Sequence, residues 1–375
     1  MKAVQGKKKN KAANFVIQGS ILAMAGILVR IIGMLYRMPL NDIIGKQGNG
    51  YYTSAYNVYN ILLILSSYSM PVAISKMISA RLAKGEYENC RRILKTGLLY
   101  ATVTGGLAAI VLWFGSDFFA GLIKTPYSSY ALKTLAPTIW IMAYLGVLRG
   151  YFQGTGTMIP TAISQILEQV INAIVSVVAA GILFGVGEGM NAAQGAKNYS
   201  YALGAAGGTI GTGAGALAAF IFFIFLTAKS GRSVLKQRIA VEDLSPEAAK
   251  IARRKRTRYG KLIYALTITV LPIVVSSGIY NCSNVVDNFL FGQGMDKLGY
   301  SGEEMLYSGA RLGQYQLLFN IPVAVSNALS IFFDPVSYKS GISRRQKADF
   351  KKDRGSCTFL YADLYPGSSG DRSPG

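Results

Sequence analysis

The chain has 375 residues, 51% of them hydrophobic and only 15% charged, with a formal net charge of +21 and no histidine. The missing histidine removes His-based triads, His metal ligands and His general bases, and Cys90, Cys282 and Cys357 show neither metal-ligand nor disulfide spacing. Because the positive charge is concentrated in loops and tails between apolar stretches, it argues against nucleic acid and for retention of those loops on the cytoplasmic side.

In chain order, a basic tail (1–14) carries Lys2, Lys7, Lys8, Lys9 and Lys11. The apolar segment behind it is too long for the h-region of a signal peptide. Apolar stretches then predict spans at 15–40, 51–79, 96–115, 130–153, 159–185, 202–228, 262–292 and 305–336. Each is long enough to cross a bilayer core, which takes about 20 apolar residues per helix. The expected fold is an all-α integral membrane protein embedded in the phospholipid bilayer, and its 42 glycines suit close helix packing.

Basic residues concentrate in every second loop: Arg81, Lys84, Arg91, Arg92 and Lys95 in the second, Arg149 in the fourth, and Lys229 to Lys261 in the sixth. That alternation predicts a cytoplasmic N-terminus. The sixth loop divides the chain into a first bundle of six spans (15–228), a basic cytoplasmic linker (229–261) and the start of a second bundle (262–336). Within the linker, Ser245-Pro246-Glu247 is a helix-start signal for a short basic helix. A polar tail (337–375) follows the second bundle. The segment Pro71–Ser79 resembles Pro322–Ser330, with five of nine positions identical, as a six-plus-six duplication would give.

Function is sought among polar residues inside the spans. Arg30 sits near the middle of the first, and Arg37 follows seven residues later. Seven residues make almost two turns, which places both guanidinium groups on one helical face about 10 Å apart. An intramembrane arginine costs at least about 2.5–3.5 kcal/mol unless it faces protein or water. Two aligned arginines suit a diphosphate, because each guanidinium binds oxygens bidentately. Gly19, Gly26 and Gly33 repeat every seven residues and predict a seam for a neighbouring helix.

The fifth span shows Gln165, Glu168, Gln169, Asn172 and Ser176 as a stripe, and the seventh shows Ser277, Tyr280, Asn281, Asn284, Asp287 and Asn288. The eighth contributes Arg311, Gln314 and Tyr315, and the second adds Tyr52, Tyr56 and Tyr59, suited to stacking on sugars or lining a wet cleft. Interhelical hydrogen bonding is the plainer account of single Asn and Ser residues. Taken together the stripes predict a shared hydrophilic cavity with Arg30, Arg37, Tyr52, Tyr56, Glu168, Gln169, Asn281, Asn284, Asp287 and Arg311 as its substrate-binding residues. The sixth span, with Gly204, Gly207, Gly208, Gly211 and Gly215, reads as a packing helix without such groups. No Asp-x-Asp pair and no Gly-Lys phosphate loop accompany these residues, so no catalytic residue, metal or cofactor is expected.

The chain resembles the multidrug/oligosaccharidyl-lipid/polysaccharide exporter superfamily, in its polysaccharide-biosynthesis branch of stage V sporulation protein B and lipid II flippase type. The resemblance is carried by Gly19-Ser20 through Arg30-Ile31-Ile32-Gly33 into Tyr36-Arg37, by Gly48-x-Gly50-Tyr51-Tyr52, and by Arg149-Gly150-Tyr151-Phe152-Gln153-Gly154. Glu168-Gln169, Asn320-Ile321-Pro322 and Ala328-Leu329-Ser330 add to it, over residues 10–330.

It implies two helical bundles around a central cavity that opens alternately to each side of the bacterial cytoplasmic membrane. It also implies a lipid-linked oligosaccharide or peptidoglycan precursor as cargo, basic residues at Arg30 and Arg37 in the cavity, and 12 to 14 spans. Cell-wall synthesis proteins are candidate protein partners. Against that pattern the chain shows eight spans and leaves the repeat at Ser330, so 337–375 reads as the tail of a truncated or frame-shifted product. A drug/cation antiporter of the same fold, and a membrane glycosyltransferase or accessory scaffold in wall synthesis, are the alternatives.

Overall fold

A computed structural model of the chain describes residues 2–83, 86–194, 198–230 and 257–300, with Glu304 and Ser308. Every element described here belongs to one compact unit, which lies within residues 1–328. Among the described residues there is no strand. The helices are α1 (Lys2–Leu35), α2 (Arg37–Leu63), α3 (Met70–Ala83), α4 (Tyr87–Leu122), α5 (Ser129–Gly154), α6 (Ile159–Gln194), α7 (Tyr199–Ser230) and α8 (Tyr259–Lys297). The protein is an all-α, multi-pass membrane protein.

Seven segments of the described residues are long and apolar enough to span a membrane. The expected span at 305–336 lies outside the described residues, as do the helix start at Ser245 and the second copy of the repeat. Two boundaries differ from the sequence reading. The expected first span, 15–40, divides at Tyr36, because Pro39 has no N–H to donate to the Leu35 carbonyl and the helix cannot run on unbroken. The residues after that break open a second crossing of 46 residues, Arg37–Leu82, much longer than the expected 51–79.

This long crossing is not straight. It kinks at Gly45, whose φ of 65° only glycine adopts freely, and passes through a π-helical turn at Ile64–Tyr68 before α3. The π turn is tied in by hydroxyls: Ser66 and Ser67 Oγ lie 2.9 Å apart, and Thr104 Oγ1 of α4 donates to the Ser66 carbonyl at 3.4 Å.

Glycines set how closely the helices approach. On α5, Cβ atoms at Gly146, Gly150 and Gly154 would press on the Ser67, Pro71 and Ser75 carbonyls of the π turn and α3. On α7, Gly207, Gly211 and Gly215 lie directly against the α6 backbone and Ser176, and α6 and α7 form the most extensive helix pair. The packing role expected of the sixth span is what the structure shows.

The start of α8 is packed onto the first bundle. Leu262, Leu266 and Val270 share a core with Met70, Ile74 and Ile78 of α3 and with Cys90 and Ile93 of α4. α1 lies mainly along α6 and runs in the same direction: Gln18 Oε1 accepts from the Met158 N–H at 2.9 Å, and Gly33 meets Gln169 further on. The glycine seam predicted for α1 holds at Gly19, which is buried, and at Gly33, but opens at Gly26, where a Cβ would meet nothing.

Candidate functional site

The tyrosines of α2 recur at Tyr52, Tyr56 and Tyr59, so their rings stack along one helical face, with centroids 4.7 Å and 5.7 Å apart. Tyr52 and Tyr59 are each only 2% exposed. Tyr36 reaches across the Pro39 break to place its hydroxyl 3.2 Å from that of Tyr52. Arg37, half-buried, holds its guanidinium carbon 5.7 Å from the Tyr52 ring centroid, within cation–π range. Tyr52 therefore presents its ring to Arg37 and its hydroxyl to Tyr36 within the core, a placement suited to orienting Arg37 rather than to stacking on a sugar. Arg30 lies on the exposed side of α1.

The tyrosine file continues into the bundle. The Tyr56 hydroxyl hydrogen-bonds to Thr212 of α7, Thr212 Oγ1 donates to Asn172 Oδ1 at 3.5 Å, and Ser176 Oγ lies 2.8 Å from the same oxygen and 2.7 Å from the Gly208 carbonyl. Thr209 Oγ1 meets Thr134 Oγ1 of α5 at 2.6 Å. The sixth span thus carries polar groups that the sequence reading denied it. They went unread because single threonines in a Gly- and Ala-rich helix look like packing residues.

The stripe on α6 spreads in three directions. At about 100° of rotation per residue, adjacent Glu168 and Gln169 fall on opposite flanks of the stripe with Asn172 and Ser176 between them. Accordingly Asn172 and Ser176 face α7, Gln169 Nε2 lies 3.1 Å from where a Cβ of Gly33 on α1 would stand, and Glu168 turns to α5.

There Arg149 Nη2 donates to Glu168 Oε2 at 2.6 Å, and Arg149 Nε donates to Ser164 Oγ at 3.1 Å. The two side chains are 11% and 20% exposed, so the carboxylate is paired, as an intramembrane acid should be. Arg149 corrects the sequence reading, which placed it in the fourth loop. It lies inside α5, and the turn that follows, Thr155–Met158, carries no basic residue. The signal was present in Gly146, Gly150 and Gly154, whose four-residue spacing continues the helix past Arg149.

Asn281, Asn284 and Asp287 lie on α8, but their side chains, and the whole of Arg311, are outside the described residues. On the outer face of α4 and α5 an apolar groove of about 560 Å³ is walled by Val103, Leu107, Trp113, Phe114 and Trp140. It offers no charge to a polar head group. No group of acids and thiols among the described residues could hold a metal ion.

Arg30 and Arg37, expected on one helical face, fall on either side of the break at Tyr36, with Arg30 exposed and Arg37 over Tyr52. The sequence resemblance rests on motifs that include these residues, Arg149-Gly150 and Glu168-Gln169, and comparison with known proteins decides it. A model of the polysaccharide biosynthesis proteins matches residues 16–338. The chain belongs to that family.

It is similar to the lipid II flippase MurJ of Bacillus subtilis, 26% identical over 340 residues, which cover 87% of this chain and 58% of that protein. It is also similar to stage V sporulation protein B of the same organism, 33% identical over 150 residues, 39% of this chain and 28% of that protein. A third relative, the Bacillus subtilis sporulation protein YkvU, is 24% identical over 154 residues, 41% of this chain and 33% of that protein. The chain therefore spans 58% of the flippase's length. No solved structure matches it.

Proposed function

We propose that this family member translocates a lipid-linked oligosaccharide or peptidoglycan precursor, an undecaprenyl-diphosphate-linked glycan of lipid II type, across the bacterial cytoplasmic membrane by alternating access. The observation that carries the reading is Arg37 over Tyr52, whose hydroxyl meets Tyr36, seven residues beyond Arg30 and across the break at Tyr36. A cation fixed in that way inside a span is suited to an anionic cargo, and a guanidinium matches phosphate oxygens bidentately. The similarity to a protein named a lipid II flippase supports the same cargo class.

Arg30 and Arg37 take the diphosphate in this reading. Tyr52 holds Arg37 and Tyr56 continues its file of rings, Glu168 fixes α6 against α5 and Gln169 meets α1, and Asn281, Asn284 and Asp287 with Arg311 are the groups proposed to line the cavity from the second bundle. The role is transport, not catalysis, and the N-terminus is cytoplasmic. A drug/cation antiporter is less well supported, because it calls for a free acid at the centre of the first bundle and Glu168 is occupied by Arg149.

The test is head-group translocation in vesicles, followed by quenching of a fluorescent undecaprenyl-diphosphate glycan. Arg30→Ala is expected to abolish translocation at unchanged protein abundance, and Arg30→Lys to keep a fraction. An alanine variant as fast as the parent would sink the reading.

A further inference from the structure

A largely buried ion pair inside a membrane bundle needs a reason, because well-packed apolar residues of the same volume would serve stability as well or better. What a buried pair supplies is a defined register, since either charge left alone in the bundle is strongly unfavourable. Arg149 and Glu168 sit where that register has consequences on both sides. Behind Arg149, α5 is locked by Gly146, Gly150 and Gly154 onto the carbonyls of Ser67, Pro71 and Ser75, so the guanidinium is presented from a fixed wall. In front of it, Ser164 and Glu168 receive its donors, one turn apart on α6. The next residue, Gln169, meets α1 at Gly33, less than a turn from Arg30.

We propose that Arg149 and Glu168 are positioning residues: their ion pair fixes α6 against α5, and through the Gln169–Gly33 contact it sets where α1 holds Arg30. Neither is a ligand of the cargo. The link to the cargo rests on the functional reading above; the link to α1 does not.

The pair and the α1 contact can be read independently. In the full chain, with Cys90, Cys282 and Cys357 replaced by alanine, Gly33→Cys and Gln169→Cys report the α1–α6 contact by their rate of oxidative cross-linking in membranes. Arg149→Glu or Glu168→Arg alone is expected to slow cross-linking at least tenfold per folded molecule. The double swap, which rebuilds the pair with the charges exchanged, is expected to return it to within threefold of the parent.

Singles that cross-link at the parental rate overturn the proposal, because a pair that merely stabilises would lower folded yield and leave the rate alone. A folded double swap no better than the singles overturns it too. If the singles do not fold, Glu168→Gln, which keeps an acceptor for Arg149 but no charge, carries the test: about threefold slower supports the proposal, and an unchanged rate defeats it. Affinity for undecaprenyl diphosphate, measured without the reporter cysteines, should fall and recover in parallel. Cross-linking that responds while affinity does not overturns the link to the cargo. The functional reading itself is decided separately, by whether Arg30→Ala loses that affinity.

Discussion

Arg92 of α4 donates from Nη1 to the Thr257 carbonyl at 2.7 Å, just before α8 begins. The Thr257 N–H in turn donates to Asn89 Oδ1 at 3.0 Å, so both backbone groups of one residue are held by α4. The same guanidinium lies 4.7 Å from the Tyr259 ring centroid. Asn89 is itself braced: Glu86 Oε2 accepts from Asn89 Nδ2 at 2.8 Å and from Arg81 Nη1 at 2.7 Å. The basic second loop, read from sequence as a retention signal, is thus largely the first turns of α4, and its side chains fasten the helix that follows the linker.

Removing that fastening should loosen the start of α8 without unfolding the bundle. A hydrogen bond to a charged group contributes about 1.5–3 kcal/mol. Arg92→Ala should therefore speed amide hydrogen exchange over 259–266 by about tenfold or more, while α6 and α7 exchange as before. Arg92→Lys should fall between, since it keeps a charge but loses the planar donor over Tyr259. Exchange in α8 that does not change would mean that Leu262, Leu266 and Val270 alone hold the helix.

The glycine seam between α6 and α7 gives a sharper contrast. A Cβ at Gly211 would fall on Ser176, and one at Gly215 on the Glu168 carbonyl, whereas Gly181 and Gly185 face open space. Gly211→Ala and Gly215→Ala should each cost about 1–3 kcal/mol by overpacking. Gly181→Ala and Gly185→Ala should be neutral, or stabilising by up to about 0.5–1 kcal/mol. Thermal unfolding in detergent, followed by loss of monodisperse protein, would separate the two pairs, and equal behaviour of all four would contradict the packing.

The lengths of the apolar runs were enough to read helices and membrane, because crossing a bilayer imposes both, and motifs such as Arg149-Gly150-Tyr151-Phe152-Gln153-Gly154 gave the family. Directions within the bundle were not legible. Gln165, Glu168, Gln169, Asn172 and Ser176 read as one face, yet a stripe about 100° wide touches three neighbours, and only packing says which side chain meets which helix. Arg149 was misread because a cation near the end of an apolar run has the same sequence signature as one in a loop. The break at Tyr36 was missed for a related reason, since Met38 and Leu40 continue the apolar pattern on both sides of Pro39.

The Tyr56–Thr212 bond should act as one unit with Asn172. Tyr56→Phe and Thr212→Val should each lower stability by about 0.5–1.5 kcal/mol, the net value of a neutral hydrogen bond. The double variant should lose clearly less than their sum, because each single already breaks the shared bond. Unfolding midpoints of the four proteins complete the cycle, and strict additivity would show that the two hydroxyls are not coupled. Gly181→Ala makes a suitable reference for handling losses.

Sidedness can now be tested at better positions than the loop centres that the sequence suggests. Gly48 and Ser128 lie within two of those predicted loops, yet both are buried and would resist labelling from either side. Lys124, after α4, and Ala193, near the end of α6, are exposed, as are Thr157 in the turn before α6 and Arg258 before α8. Because α1 runs along α6 in the same direction, from Gln18 beside Met158 to Gly33 beside Gln169, Thr157 belongs to the same membrane face as the start of α1. With Arg149 removed from that turn, the orientation rests on the N-terminal lysines, on the cations at the start of α4 and on the linker. Cysteines placed by Lys124→Cys and Ala193→Cys should react with an impermeant maleimide added to intact cells, and those placed by Thr157→Cys and Arg258→Cys should react only after permeabilisation. Labelling of Arg258→Cys from outside, with Lys124→Cys protected, would invert the assignment of every loop at once.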